Sequence, residues 1–146
     1  MAASNNQGRG LTALRLFLGV FFLFEGIGKI GWLTDPSPLA TQLAGYLQSA
    51  NPWNRAYLEQ VCIPGSAVFA RLVLFGELAT GVSFLLGAYT RYAAIAAFLM
   101  VANIHFASGA LFQYRFLTNG YGLPVLGGLL ALAIGGAALP LSLRRT

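Results

Sequence analysis

The chain has 146 residues, 57% of them hydrophobic and only 9% charged, against roughly 25% charged in a soluble domain. So few charges cannot cover a water-facing surface, and the net charge of +5 comes from basic residues scattered singly, a poor fit to a nucleic-acid partner. The single cysteine, Cys62, rules out an internal disulfide, a CxxC redox pair and a cysteine metal cluster. Lipid is the solvent that such a surface calls for.

Residues 1 to 10 are polar and expected to fray. The first apolar run spans residues 11–33, long enough to cross about 30 Å of hydrocarbon at about 1.5 Å per residue. Arg9 and Arg15 ahead of it resemble a signal peptide, but Glu25 and Lys29 follow without a small-x-small cleavage pattern, so it reads as a retained helix. Asp35, Pro36 and Pro38 end it. In the segment 34–65, Leu39, Leu43, Tyr46 and Leu47 recur at helical spacing among Thr41, Gln42 and Gln48. This predicts a short amphipathic helix, stopped by Asn51 and Pro52, with another turn or two from Trp53 to Gln60. Its Trp and Tyr content suits a membrane surface.

Further spans are predicted over residues 66–87, 92–112 and 121–139, with Gln113 to Asn119 a polar connection. The fold class is all-α: one domain, residues 1–146, built as a four-transmembrane-helix bundle with the amphipathic interfacial helix between the first two spans. Arg9, Arg15, Arg91, Arg144 and Arg145 then fall on one side and Arg55 and Arg115 on the other. The excess of basic residues puts both termini in the cytoplasm. Gly127, Ala131 and Gly135 make a small-xxx-small stripe on the fourth helix, a packing signal.

Ionisable residues inside spans are costly and mark bundle interiors or cavities. Arg15, Glu25 and Lys29 fall within an arc of about 80° at about 100° per residue, beside Gly19, Phe22 and Gly26. Glu25 and Lys29, spaced i,i+4, can pair directly. Arg71 and Glu77 on the second helix lie about 120° apart by the same pitch. His105 is on the third. Alternating helix directions bring Glu25, Lys29, Arg71, Glu77 and His105 into one layer between mid-bilayer and the outer surface. Such a layer is either a neutralising, packing arrangement or a polar pocket. In the pocket reading Glu77, His105 and Glu25 are the proton-handling catalytic candidates, and Lys29 and Arg71 the contacts for a quinone or an anion. A lone histidine makes no metal site unaided and offers at most one axial ligand to a porphyrin or chlorophyll; no metal site is expected. Gly26, Gly28 and Gly31 spell GxGxxG, but no strand precedes them and the dinucleotide reading fails.

The stretch FARLVLFGELATGVSFLLGAYTRYAAI, from Phe69 to Ile95, resembles the DoxX/DoxD family of small membrane proteins through Glu77, Gly81, Gly87, Thr90 and Arg91. Arg15, Gly19, Gly26 and Lys29 match its first-helix pattern, and NIHFASG, from Asn103 to Gly109, resembles the end of its third helix. Asn51, Pro52 and Pro64 suit the DoxD type. At Gly122 and Arg144 the chain departs from the pattern, which often has acidic residues there. The resemblance implies a four-helix protein of the bacterial or archaeal cytoplasmic (inner) membrane. For the DoxD type it implies the membrane subunit of a thiosulfate:quinone oxidoreductase.

Two functions follow as expectations. One is a redox-linked membrane subunit with quinone as cofactor, its electrons supplied by a partner, since no motif here binds an electron carrier. The other is a non-catalytic accessory subunit of a larger respiratory or photosynthetic complex, docked through its glycine-rich fourth helix. In both, the partners are the lipid bilayer and other membrane protein subunits.

Overall fold

A computed structural model describes residues 2–143, without the side chains of residues 2–5, Phe112 and Arg115. Arg144 and Arg145 of the charge count lie outside the described residues. Every regular element among the described residues is helical. Four helices form the body: α1 (Ala2–Gly28), α4 (Ser66–Leu86), α5 (Thr90–Ala107) and α7 (Leu123–Gly135). Between α1 and α4 lie α2 (Ser37–Leu47) and α3 (Pro52–Tyr57); α3 continues as a wider π turn over Leu58–Cys62. A single turn, α6 (Arg115–Thr118), precedes α7. The chain packs as a ring, with α1 against α4, α4 against α5, α5 against α7, and α7 back on α1.

Among the described residues three helices are long and apolar enough to cross a membrane: Asn6–Gly28 within α1, α4, and α5. Their outer faces carry Phe17, Phe24, Val68, Leu72, Tyr92 and Leu99 in the open. The buried side chains between them, Phe22, Phe84, Ala94, Ala97, Leu129 and Leu132, form one core. Apolar groups thus occupy both the outside and the inside, as in a protein solvated by hydrocarbon.

The boundaries correct the sequence reading in three places. Helix α1 begins at Ala2, not near residue 11, so the polar stretch read as frayed is helical, although Asn6, Gln7 and Arg9 stay exposed. Gly8 lies against Pro140, and Thr12 Oγ1 donates to the Gly8 carbonyl at 2.8 Å. Helix α5 stops at Ala107 because Gly109 takes a left-handed conformation, φ 69°, which ends a helix at little steric cost to glycine. Helix α7 has 13 residues where the apolar run predicted 121–139. It ends at Gly135, and Ala138 (φ 53°) and Leu141 (φ 55°) turn the chain back.

The small-residue contacts also differ from expectation. Gly127 has open space around it; Gly128 packs on Leu18 and Leu14, and Gly135 on Leu11. The tightest approach is between α1 and α4. A Cβ on Gly19 would stand 3.1 Å from the Leu85 nitrogen, one on Gly26 3.0 Å from the Leu78 nitrogen, and one on Gly81 2.6 Å from the Leu23 nitrogen. These three contacts share one antiparallel register, so backbone rests on backbone along most of the pair. Glycines allow that closeness where lipid supplies no hydrophobic drive between helices.

Outside the ring, α2 and α3 fold into a small hairpin. Asn51 caps α3 by accepting from the Trp53 and Asn54 nitrogens at 3.1 and 3.2 Å, and Pro52 occupies the first turn where its missing N–H costs nothing. Leu43, Leu58, Cys62 and Ala107 close a second core that fastens the hairpin to the end of α5. At the opposite end of the bundle the C-terminal segment is strapped down. The buried Arg15 guanidinium donates to Ser142 Oγ and to the Leu141 carbonyl, while the Leu143 nitrogen donates to the Leu86 carbonyl at 3.0 Å. Gly87, φ 65°, closes α4 here, and any side chain at that position would strike Arg15.

Candidate functional site

The register set by Gly19, Gly26 and Gly81 carries Lys29, at the end of α1, onto Glu77 of α4. Lys29 Nζ lies 2.8 Å from Glu25 Oε2, 3.0 Å from Glu77 Oε1 and 2.9 Å from Glu77 Oε2. The approach to Oε2 is a charge contact without hydrogen-bond alignment, which leaves that buried oxygen with no donor aimed at it. The Glu77 side chain is 8% exposed, Lys29 19% and Glu25 35%. One ammonium therefore serves two carboxylates, one deep and one at the rim. With both carboxylates ionised the trio carries one excess negative charge, so it has a place for a proton or for a donor from outside.

These groups line a cavity of about 260 Å³ whose other walls are largely aromatic and aliphatic, among them Phe21, Phe22, Trp32, Val101, Ile104 and Tyr121. The Trp32 ring centroid is 5.8 Å from Lys29 Nζ, a favourable cation–π placement. His105, on α5, is buried in the same wall. Its Nε2 is 2.9 Å from the Tyr121 carbonyl, which accepts; Nε2 thus carries the hydrogen and a neutral ring keeps Nδ1 as acceptor. Phe116 meets the ring edge-on at 5.2 Å.

Of the sequence candidates, Glu25, Lys29, Glu77 and His105 share the cavity, and Arg71 does not. Arg71 is exposed and donates to the Ala67 carbonyl at 2.7 Å and the Leu33 carbonyl at 3.1 Å. It tethers the 3-10 turn Ile30–Leu33 that follows α1. Its position follows from helical pitch, about 120° around α4 from Glu77. Arg15 shares the α1 arc but is some 15 Å down the axis from Glu25 at about 1.5 Å per residue, where it serves the C-terminal strap. Sequence reasoning missed the contributions of Leu39 and Gln42 from α2 and of Trp32 and Tyr121. Gln42 is exposed and its amide donates to the Tyr46 hydroxyl at 2.7 Å; its place among apolar neighbours at helical spacing was the available signal.

Beside this cavity, Tyr57 Oη donates to Asn103 Oδ1 at 2.8 Å. Burial pushes the Tyr57 hydroxyl above its ordinary pKa, and burial likewise raises the Cys62 thiol. Among the described residues no three His, Cys, Asp or Glu side chains converge as a metal set.

The family model DoxX matches residues 10–109. The chain belongs to the DoxX family. Arg15, Gly19, Glu25, Gly26, Lys29, Glu77, Gly81 and His105 all fall within the DoxX match, and α7 with Tyr121 lies beyond it. No curated protein and no solved structure matches the chain. As a DoxX member with three helices of membrane length, it is a membrane protein.

Proposed function

We propose that this protein crosses a bacterial or archaeal cytoplasmic membrane four times, both termini inside. In this reading α2 lies on the outer surface and the charged cavity receives the ring of a quinone. The observation that carries it is the Lys29 ammonium shared by Glu25 and Glu77 in the wall of an aromatic-lined cavity. A quinone needs an apolar slot for its ring, donors at its carbonyl oxygens, and groups that give and take protons as it gains and loses electrons. Lys29 supplies a donor. Glu77, Glu25 and His105 are the proton-exchanging groups. Reduction of the ring to a quinol consumes two electrons and two protons; the electrons come from a partner redox subunit, and the protons pass through the carboxylates. A volume of about 260 Å³ sits at the small end of ligand pockets and suits a single ring.

The test is quinone binding by purified protein in lipid nanodiscs. Glu77→Gln and His105→Ala are each expected to weaken binding at least tenfold; unchanged binding in both removes the reading.

A second reading, an accessory subunit of a larger membrane complex, is favoured by one feature. Gly127 faces outward from α7 with open space around it, so a neighbour's helix has close access there. Sizing after gentle solubilisation separates the two: a monodisperse lone protein counts against the accessory role.

A further inference from the structure

The charged cavity is not closed on all sides. On the α1/α7 side its wall is formed by Phe21, Tyr121 and Val125. The same three residues form the end of a second cavity of about 280 Å³, otherwise lined by Leu14, Phe17, Leu18 and Gly120. Leu14, Phe17, Leu18 and Phe21 are spaced as one stripe of a helix, so this groove runs about 10 Å down α1 from the shared wall. It is open outward, with Phe17 79% and Tyr121 57% exposed. Between the two compartments the Phe21 and Tyr121 rings meet at a centroid distance of 5.6 Å, tilted by 48°. The Tyr121 backbone is anchored: its carbonyl accepts from His105 and its nitrogen donates to Asn119 Oδ1 at 2.9 Å. Its ring, 57% exposed, packs on Phe21.

We propose that the ligand is an amphiphile that enters sideways from the bilayer between α1 and α7. Its polar ring sits among Glu25, Lys29 and Glu77, and its hydrocarbon tail lies in the Leu14–Phe17–Leu18 groove. The Phe21–Tyr121 ring pair is the gate. The inference rests on the quinone reading above and specifies a tailed quinone rather than a water-soluble one. Three other spaces lie among the described residues, and none suits a tail continuous with this head site. One of about 410 Å³, lined by Leu85, Leu86, Leu141, Ser142 and Leu143, shares no lining residue with the charged cavity. The larger groove between α4 and α5, about 520 Å³, shares no lining residue with the charged cavity. The cavity under Leu43 and Cys62 does share residues, but at about 50 Å³ it holds a water or two. His105 acquires a positioning role in this scheme, since it fixes the backbone from which the gate ring hangs.

The experiment uses Trp32, which lines the head cavity, as the reporter. Trp53, 80% exposed, is replaced by Phe to remove the competing signal. Quenching of Trp32 is titrated with a decyl-substituted benzoquinone and with the same ring lacking the tail. Gly120→Phe fills the groove mouth, where a side chain meets nothing within 4 Å. Phe17→Ala removes an exposed groove wall, and Gly127→Leu is the control on the other face of α7. The expected result is about a tenfold loss of affinity for the tailed probe in Gly120→Phe, a smaller loss in Phe17→Ala, no change for the tail-less ring, and no effect of Gly127→Leu. Equal effects on both probes, or none, overturn the tail groove while leaving the head site standing. If neither probe quenches Trp32, the head site fails and the inference falls with it.

Discussion

Lys29 holds two carboxylates with a single charge, and that makes it costly to neutralise. Lys29→Met strands Glu77, buried beside a position it can no longer share, and is expected to destabilise the fold by about 3 kcal/mol. The surface pair Arg55–Glu59, 3.4 Å apart with both side chains about half exposed, is the contrast: Arg55→Met shifts stability by less than about 0.5 kcal/mol. Thermal unfolding of both variants in one detergent checks the difference, and Lys29→Met combined with Glu77→Gln recovers part of the loss. Cys62 gives a second measurement. Its thiol is buried and its pKa raised, so the thiolate fraction at any pH below that value is smaller than for a free cysteine. Maleimide labelling is expected to be slow near pH 7, to speed up as the pH climbs past the ordinary thiol range, and to be immediate on unfolding. Fast labelling of the folded protein at neutral pH contradicts the buried placement. At this scale the sequence was legible where spacing along one helix decides the outcome. The i,i+4 interval of Glu25 and Lys29 gives their pairing, and the interval of Arg71 and Glu77 separates them. It did not reveal that Lys29 reaches Glu77, 48 positions away, because the relative rotation of two helices depends on which glycines touch. Nor did it reveal that Arg15, which reads as a topology marker, is buried under the C-terminal segment.

Helix pairs and straps follow a different logic, in which small residues and turns decide more than charge. The α1–α4 contact leaves no room at Gly81, where a methyl group meets the Leu23 backbone. Gly81→Ala is therefore expected to cost about 2 kcal/mol by overpacking, whereas Gly127→Ala, with open space around it, is neutral or slightly stabilising through helix propensity. Chemical or thermal denaturation of the two variants decides this. The strap over Pro140 to Leu143 hangs on Arg15, so Arg15→Met is expected to release it and to hasten trimming by a carboxypeptidase several-fold while α4 and α5 stay intact. Equal trimming rates contradict the strap. Hydropathy made α1, α4 and α5 legible as apolar runs, and the turn residues Asn51 and Pro52 made the start of α3 legible. Helix ends were less visible. Ala137 and Leu139 are as apolar as the residues of α7, and Leu139 is buried, but it is buried in a turn. An apolar composition does not distinguish a turn packed into a core from the continuation of a helix.

For the molecule as a whole, the reading of four crossings makes a topological claim that fusions can check. A reporter active only outside the cytoplasm is expected to be silent when joined before residue 2 or after residue 143, and active when inserted between α2 and α3, near residues 48–51. Activity at either terminus contradicts the proposed orientation. The ring order of α1, α4, α5 and α7 was not legible in the sequence, because apolar helices in lipid have no solvated face to declare which neighbours they take. What emerges from it is a division of labour: α1 and α4 hold the charges, α5 supplies the histidine, and α7 closes the side facing the groove. That last helix is short. Its 13 residues reach about 20 Å at about 1.5 Å per residue, roughly 10 Å less than a typical hydrocarbon layer, while α1 beside it has 27 residues. In the proposed four-crossing arrangement, a span this short is expected to draw the leaflets together along the α1/α7 seam. A molecule leaving the membrane plane there would have the least oil to cross.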